Sequence, residues 1–155
     1  MAGPFFFRWS DPTDLPWAEE YAVDDEDVFS LTLTHTEGDF PVLEVVVVNP
    51  RVGLLASSRQ QWAWLSYKGP EDASPRPVFF GRLVGVPRNM TGELVQLTFV
   101  ARPLNYDATK EALADSLREL PWFDPIWLNE DDVGDPDRVL EGRPLIWHID
   151  RVTHE

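Results

Sequence analysis

Hydrophobic and polar positions alternate from Phe29 to Thr34: Phe29, Leu31 and Leu33 fall on one face, Ser30, Thr32 and Thr34 on the other. A period of two with threonine on the wet side predicts a half-buried strand. Glu37-Gly38-Asp39 supplies a turn, since Gly38 adopts positive φ without steric cost. From Val42 to Val48 the chain is apolar on both faces except at Glu44, which predicts a strand covered on both sides. Asn49-Pro50 ends it, because proline has no N–H for the ladder. The simplest pairing is an antiparallel hairpin over residues 28–50, its register left open by a turn longer than two residues.

The flanking segments extend this pattern. Phe5 to Trp9 fits a short strand or a docking arm, while Asp11-Pro12, Leu15-Pro16 and the acidic run Asp24 to Asp27 read as loop. Arg51 to Ser58 is a connection with room for one helical turn. Gln60 to Tyr67 sets Trp62, Trp64 and Ser66 against Gln61, Ala63, Leu65 and Tyr67, as in a strand or an interface edge. The proline-rich stretch Lys68 to Pro77 is a surface loop. Val78 to Val86 is a further strand, in which Gly81 and Gly85, four apart, share a face and permit a sharp bend or close backbone approach. Pro87 to Gly92 turns the chain and Glu93 to Ala101 returns, giving a second hairpin.

Pro103 closes that strand. Asn105 or Asp107 caps a helix running to about Leu120, with Tyr106, Leu113, Leu117 and Leu120 as its apolar stripe and Pro121 as its stop. Asp135, Pro136 and Gly142 stand where a cap, a first helical residue and a C-terminal glycine belong. Leu145 to His154 alternates like a strand. Short connections between strands, ahead of any long helix, predict a mainly β (β-rich α+β) fold: a small antiparallel β-barrel of about 6–7 strands with one medium helix and one short helical turn. Residues 1–27 then form an N-terminal arm or loop, and residues 28–155 a barrel domain with a helical insertion near 105–141. The alternation reaching the final residue predicts a fragment of a longer chain, whose isolated form is mainly monomeric in dilute solution.

Composition narrows the function classes. A chain of 155 residues with 43% hydrophobic residues reads as one folded domain. It has no cysteine, so disulfides and thiolate metal sites are excluded. No apolar run reaches the roughly 20 residues of a membrane-spanning helix, and the start Met-Ala-Gly-Pro-Phe-Phe-Phe-Arg-Trp lacks the form of a secretory signal. A net charge of −14 disfavours direct nucleic-acid binding; it serves solubility or lines a passage to which DNA must not adhere. Seven Trp and nine Phe supply a core and suit subunit interfaces as well.

Chemical constellations are sparse. His148 and His154 lie six apart without a His-Glu-x-x-His spacing, which disfavours zinc. Glu130, Asp131, Asp132, Asp135 and Asp137 lack the order of a calcium loop and read as a solvated acidic loop. No nucleophile elbow, Walker-type loop or dinucleotide fingerprint occurs, and Asn89-Met90-Thr91 matches a glycosylation sequon without a secretory signal. With 27 acidic residues, chance carboxylate pairs single out no catalytic acid or base. No catalytic, cofactor-binding or metal-ligating residue is therefore assigned, and no cofactor is expected.

Three phrases, in order, carry a resemblance: Thr36-Glu37-Gly38-Asp39-Phe40-Pro41, Val48-Asn49-Pro50-Arg51, and Phe79-Phe80-Gly81-Arg82-Leu83-Val84-Gly85. They resemble the tail baseplate hub proteins of tailed phages, prophages and gene transfer particles, the late-control-protein-D-like family. Arg102-Pro103-Leu104, Leu117-Arg118-Glu119-Leu120-Pro121, Asp135-Pro136-Asp137 and the run from Trp147 to Glu155 are similar to one branch of it. The resemblance runs from about Val28 to the last residue and matches the N-terminal portion of such hubs.

The resemblance implies a non-enzymatic virion structural protein in the phage tail, assembled in the bacterial host cytoplasm. Its β-barrel would belong to a homotrimeric hub joining the tail tube, or a distal tail protein, to a central spike or tip protein. Neither direct nucleic-acid binding nor membrane insertion is expected. Trp62, Trp64, Phe79, Phe80 and Trp147 are the interface candidates. Two alternatives stand beside it: a tail-associated lysin acting on peptidoglycan or polysaccharide through acidic residues, and a sugar-binding module using exposed Trp faces.

Overall fold

The computed structural model describes residues 4–10, 28–50, 59–90 and 93–154. The expected loops within residues 11–27 and the connection Arg51 to Ser58 lie outside the described residues, as do Thr91 of the sequon and Gly92 of the second turn. The chain divides into two compact units, one of Met1–Arg102 with Asp150–Glu155 and one of Pro103–Ile149.

The first unit is built on seven strands: β1 (Phe5–Ser10), β2 (Val28–Thr34), β3 (Val42–Val48), β4 (Trp62–Tyr67), β5 (Arg76–Leu83), β6 (Arg88–Asn89) and β7 (Leu94–Val100). They form one antiparallel sheet in the order β1-β4-β5-β7-β3-β2, with β6 also on β7, curled into a half-barrel. Both predicted hairpins are present. β2 pairs with β3 from Thr34 opposite Val42 to Val28 opposite Val47, around a turn in which Gly38 takes φ +78° and Asp39 N–H donates to the Thr36 carbonyl at 3.2 Å. β5 and β6 run back along β7, and this hairpin joins the other through the long β3–β7 ladder.

The core lies on the inner face of the sheet. Leu43, Val45 and Val47 of β3 alternate inward with Leu97 and Phe99 of β7, and Phe7, Trp9, Leu65 and Phe79 complete the cluster. One polar link is buried within it: Trp9 Nε1–H donates to Gln61 Oε1 at 2.7 Å, satisfying an indole that has no water to bind.

Of the two readings open for Phe5 to Trp9, the structure takes the short strand: residues 5–10 are the edge strand β1 on β4 and so part of the sheet rather than of an N-terminal arm. Three expectations change. β3 is fully buried on one face only; Val42, Val46 and Val48 are half-buried and Glu44 is exposed, because their neighbours across the ladders include Ser30, Thr32, Gln96 and Thr98. A bulge between Val28 and Ser30 breaks the alternation at its start, so Phe29 is 69% exposed while Leu31 and Leu33 pack against the core. Gly81 and Gly85 act separately. Gly85 takes φ +69° in the irregular stretch between β5 and β6, where the register with β7 shifts by two residues; Gly81 lies inside β5 facing the core.

The second unit holds α1 (Tyr106–Arg118) and α2 (Pro136–Val139), with 3₁₀ turns at Pro125–Trp127 and Glu130–Asp132. α1 ends just before Pro121, as expected, but Leu120 is exposed and Ala114 is the helix's buried residue. α2 carries the predicted signals: Asp135 Oδ1 accepts from the Asp137 N–H at 3.1 Å, Pro136 opens the helix, and Gly142 takes φ +76° beyond it. Asp135 also pairs with Lys110 of α1 at 3.2 Å. Asp135→Ala is expected to cost about 1 kcal/mol through the lost cap, and Asp135→Ser to recover most of it. Urea midpoints of the two variants check this; equal midpoints would show that the cap contributes nothing.

Candidate functional site

The outer face of the sheet carries the most distinctive side-chain cluster. The β4–β5 register sets Trp62 opposite Arg82 and Trp64 opposite Phe80, all on the face away from the core. β4 therefore buries aromatic rings outward and Ala63 and Leu65 inward, which explains its nearly unbroken burial. The Phe80 ring stacks on Trp62 at 4.8 Å and 15° and tilts against Trp64 at 5.3 Å. Trp62 and Trp64 are only 6% and 7% exposed, so neither presents an open ring face for a sugar or a partner.

Part of their cover is the chain segment after Ile149. It was expected as a strand, but residues 151–153 form a turn. Asp150 causes this: its Oδ1 accepts from the N–H groups of Val152 at 2.7 Å and Thr153 at 2.8 Å, an arrangement that competes with a ladder. The His154 N–H then donates to the Asp150 carbonyl at 2.8 Å, and His154 takes φ +62°. That conformation turns its imidazole onto the aromatic patch, 4.8 Å from the Phe80 ring and 6.2 Å from Trp62.

The hydrogen bonds fix the histidine tautomers. His154 Nε2 lies 2.7 Å from the Phe80 carbonyl, which only accepts, so Nε2 carries a proton. Arg151 Nη1 donates to His35 Nε2 at 3.4 Å, so that nitrogen carries none. Burial lowers the His154 pKa below its usual 6.5, against the opposing pulls of the Phe80 carbonyl and the Asp150 carboxylate. His35 is lowered too, by burial and then by the Arg151 charge. The N–H groups of Thr153 and Val152 hold the Asp150 carboxyl below its usual 3.8.

The sequence candidates thus divide. Trp62, Trp64 and Phe80 come together in one patch. Phe79 faces the opposite way and is fully buried in the core, which removes it from any surface contact. Trp147 belongs to the second unit, where it is half-buried, stacks on Tyr106 at 6.4 Å and donates from Nε1 to Asp137 Oδ1 at 2.7 Å. Sequence reasoning missed His154 as part of the patch's cover, and His35 as the exposed partner of Arg151 in the turn. The available signal was Asp150, a turn-forming residue inside an apparently alternating run.

The second unit contains an open cavity of ≈ 370 Å³ lined by Trp122, Phe123, Leu128, Val139 and the charged Arg138, Glu141 and Arg143. Its charges engage one another and the wall: Arg138 pairs with Glu141 at 3.6 Å, and Arg143 sits 5.0 Å from the Trp122 ring while donating to the Trp122 carbonyl at 2.9 Å. Among the described residues no group of three or more His, Cys, Asp or Glu side chains could hold a metal ion, and no helix is long and apolar enough to cross a membrane. The acidic run near residue 130 is used locally, Asp135 as a cap and Asp137 as the acceptor for Trp147. No protein-family model matches the chain, and comparison with curated proteins finds no match.

Proposed function

We propose that this chain is a structural component of a phage-type tail, part of the tip hub that joins the tail tube to a central spike or tip protein. The reading starts from the ordered phrases between Thr36 and Gly85 and their continuation to Glu155. The observation that carries it furthest is the architecture: a curled seven-stranded antiparallel sheet followed by a helical segment, the kind of fold those phrases imply for a hub. An acidic surface, net charge −14, suits a part bordering a conduit for DNA, because it repels phosphate. On this reading the subunit acts by contact and has no turnover. On the same reading it assembles as a homotrimer about the tail axis.

Immunogold electron microscopy tests it. Antibodies against the chain, applied to particles released by a culture carrying its coding sequence, are expected to label the tail at the end away from the head. Particles left unlabelled, or labelled on the head, would overturn the hub assignment. Purified protein is also expected to release no soluble fragments from peptidoglycan sacculi. Release abolished by one Asp→Asn or Glu→Gln change would replace the structural reading with a lysin.

A further inference from the structure

We propose that the Asp150–His154 turn is a pH-sensitive strap over the Trp62–Phe80 patch, held down by neutral His35 and His154 and released when they are protonated. This goes beyond the hub reading and does not depend on it. Among the described residues, two side-chain hydrogen bonds join the turn to the rest of its unit, and a histidine takes part in each: Arg151 to His35 at 3.4 Å, and His154 to the Phe80 carbonyl at 2.7 Å.

The two contacts respond to a proton differently. His35 accepts from a guanidinium, so a protonated His35 loses its acceptor nitrogen and sets two cations against each other. His154 keeps its Nε2–H when protonated, and both the aromatic faces and Asp150 favour the cation. Burial against Phe80 and Trp62 opposes this more strongly, since a charged ring there loses its water. The other charged groups on the packed elements are Arg82 of β5 and Arg8 of β1 on the same sheet face, with Glu37 and Asp39 beyond His35 in the β2–β3 turn. Neither arginine is among the causes of the His154 shift, which burial, the Phe80 carbonyl and Asp150 set.

The sign follows. Both histidines bind protons less readily docked than released, so docking is fully favoured above about pH 6.5 and weakens as the pH falls below it. Asp150 behaves oppositely. Its pKa is lowered by the N–H groups it caps, so the turn's internal bonds persist until the pH falls through the carboxylate range, below about 3.8. Mild acid therefore frees an intact turn and uncovers Trp62 and Phe80.

The chain has no cysteine, so Thr153→Cys admits a single bimane label, whose emission Trp62 quenches on close approach. Emission is expected to be low near pH 7.5 and to rise about twofold or more near pH 5, reversibly and with unchanged far-ultraviolet circular dichroism. Trp62→Phe should abolish the quenching at both pH values. The double variant His35→Gln with His154→Gln should show no pH response. Constant emission in the parent protein, or a pH response that survives in the double variant, would overturn the strap. If labelling disturbs the fold, ¹H–¹⁵N spectra of the unlabelled protein decide. The Trp62 indole and the amides of residues 151–154 must then shift together with a midpoint below about 6.5, and failure to shift together overturns the proposal.

Discussion

Phe79→Ala is expected to destabilise the protein by about 3 to 5 kcal/mol, the range for removing a fully buried aromatic side chain. Phe80→Ala, one residue further on, is expected to cost only about 1 to 2 kcal/mol, as for a partly exposed ring. The two residues differ in facing. Phe79 points into the cluster with Phe99, Leu65 and Leu43 and is inaccessible to solvent, whereas Phe80 lies half-buried under His154 on the outer face. Truncating Phe79 leaves a cavity among β-branched and aromatic neighbours that a hydrogen-bonded sheet cannot collapse to fill. Truncating Phe80 opens the patch toward water and loosens the turn over it. Urea unfolding of both variants at neutral pH measures the contrast. A Phe80→Ala loss equal to or larger than that of Phe79→Ala would refute the assignment of inner and outer faces.

Gly81→Val is expected to cost about 3 kcal/mol, the upper part of the range for overpacking a core. A Cβ at residue 81 would stand 2.5 Å from Phe79 Cζ and 2.7 Å from the Val100 carbonyl oxygen. Rotation about Cβ–Cγ leaves Cζ in place, so the ring must swing aside as a whole within a packed core; the carbonyl is held in the β5–β7 ladder and moves only if the strands separate. Gly81→Ala should therefore already be destabilising. Combined with Phe79→Leu it should lose less than the sum of the single changes, because the shorter side chain relieves one of the two clashes. A Cβ at residue 85 meets no atom within 4 Å, so Gly85→Ala is expected to cost about 1 to 2 kcal/mol, from the positive φ. Strict additivity of Gly81→Ala with Phe79→Leu would show that the ring is not what fills the missing side chain's place.

The two glycines show how far the sequence could be read. Their presence in a bulky strand announced a constraint, but spacing placed both on one face of a continuous strand. The chain instead leaves the ladder after Leu83 and rejoins it at Arg88 with a shifted register. A bulge depends on the partner strand, and local pattern carries no information about it. The same reason accounts for Phe29, which alternates correctly in sequence but is turned outward by a register shift against β3.

The patch was legible in part. Trp62, Trp64 and Phe80 stood out in the sequence as interface candidates in a chain rich in Trp and Phe. Their burial depends on a segment more than 60 positions later, brought back by Asp150 capping its own turn. The caps of α2 were fully legible, because Asp135, Pro136 and Gly142 act on backbone groups within a few residues of themselves.

Local backbone chemistry and hydrophobic period misread Leu145 to His154 as a strand and Arg88–Asn89 as turn. They nonetheless determined most of the longer strands, the hairpin turn at Gly38, approximately where the helices begin and end, and that the protein is mainly β. Those properties depend on interactions within a few residues, which the amino-acid order contains directly. Only the tertiary structure decided that residues 5–10 complete the sheet edge, that β3 buries one face, that Phe79 and Phe80 part company, and that two histidines 119 positions apart anchor one turn. Each of these is set by pairing between distant segments, where the free energy of burying a face selects one register among several that the local pattern allows equally.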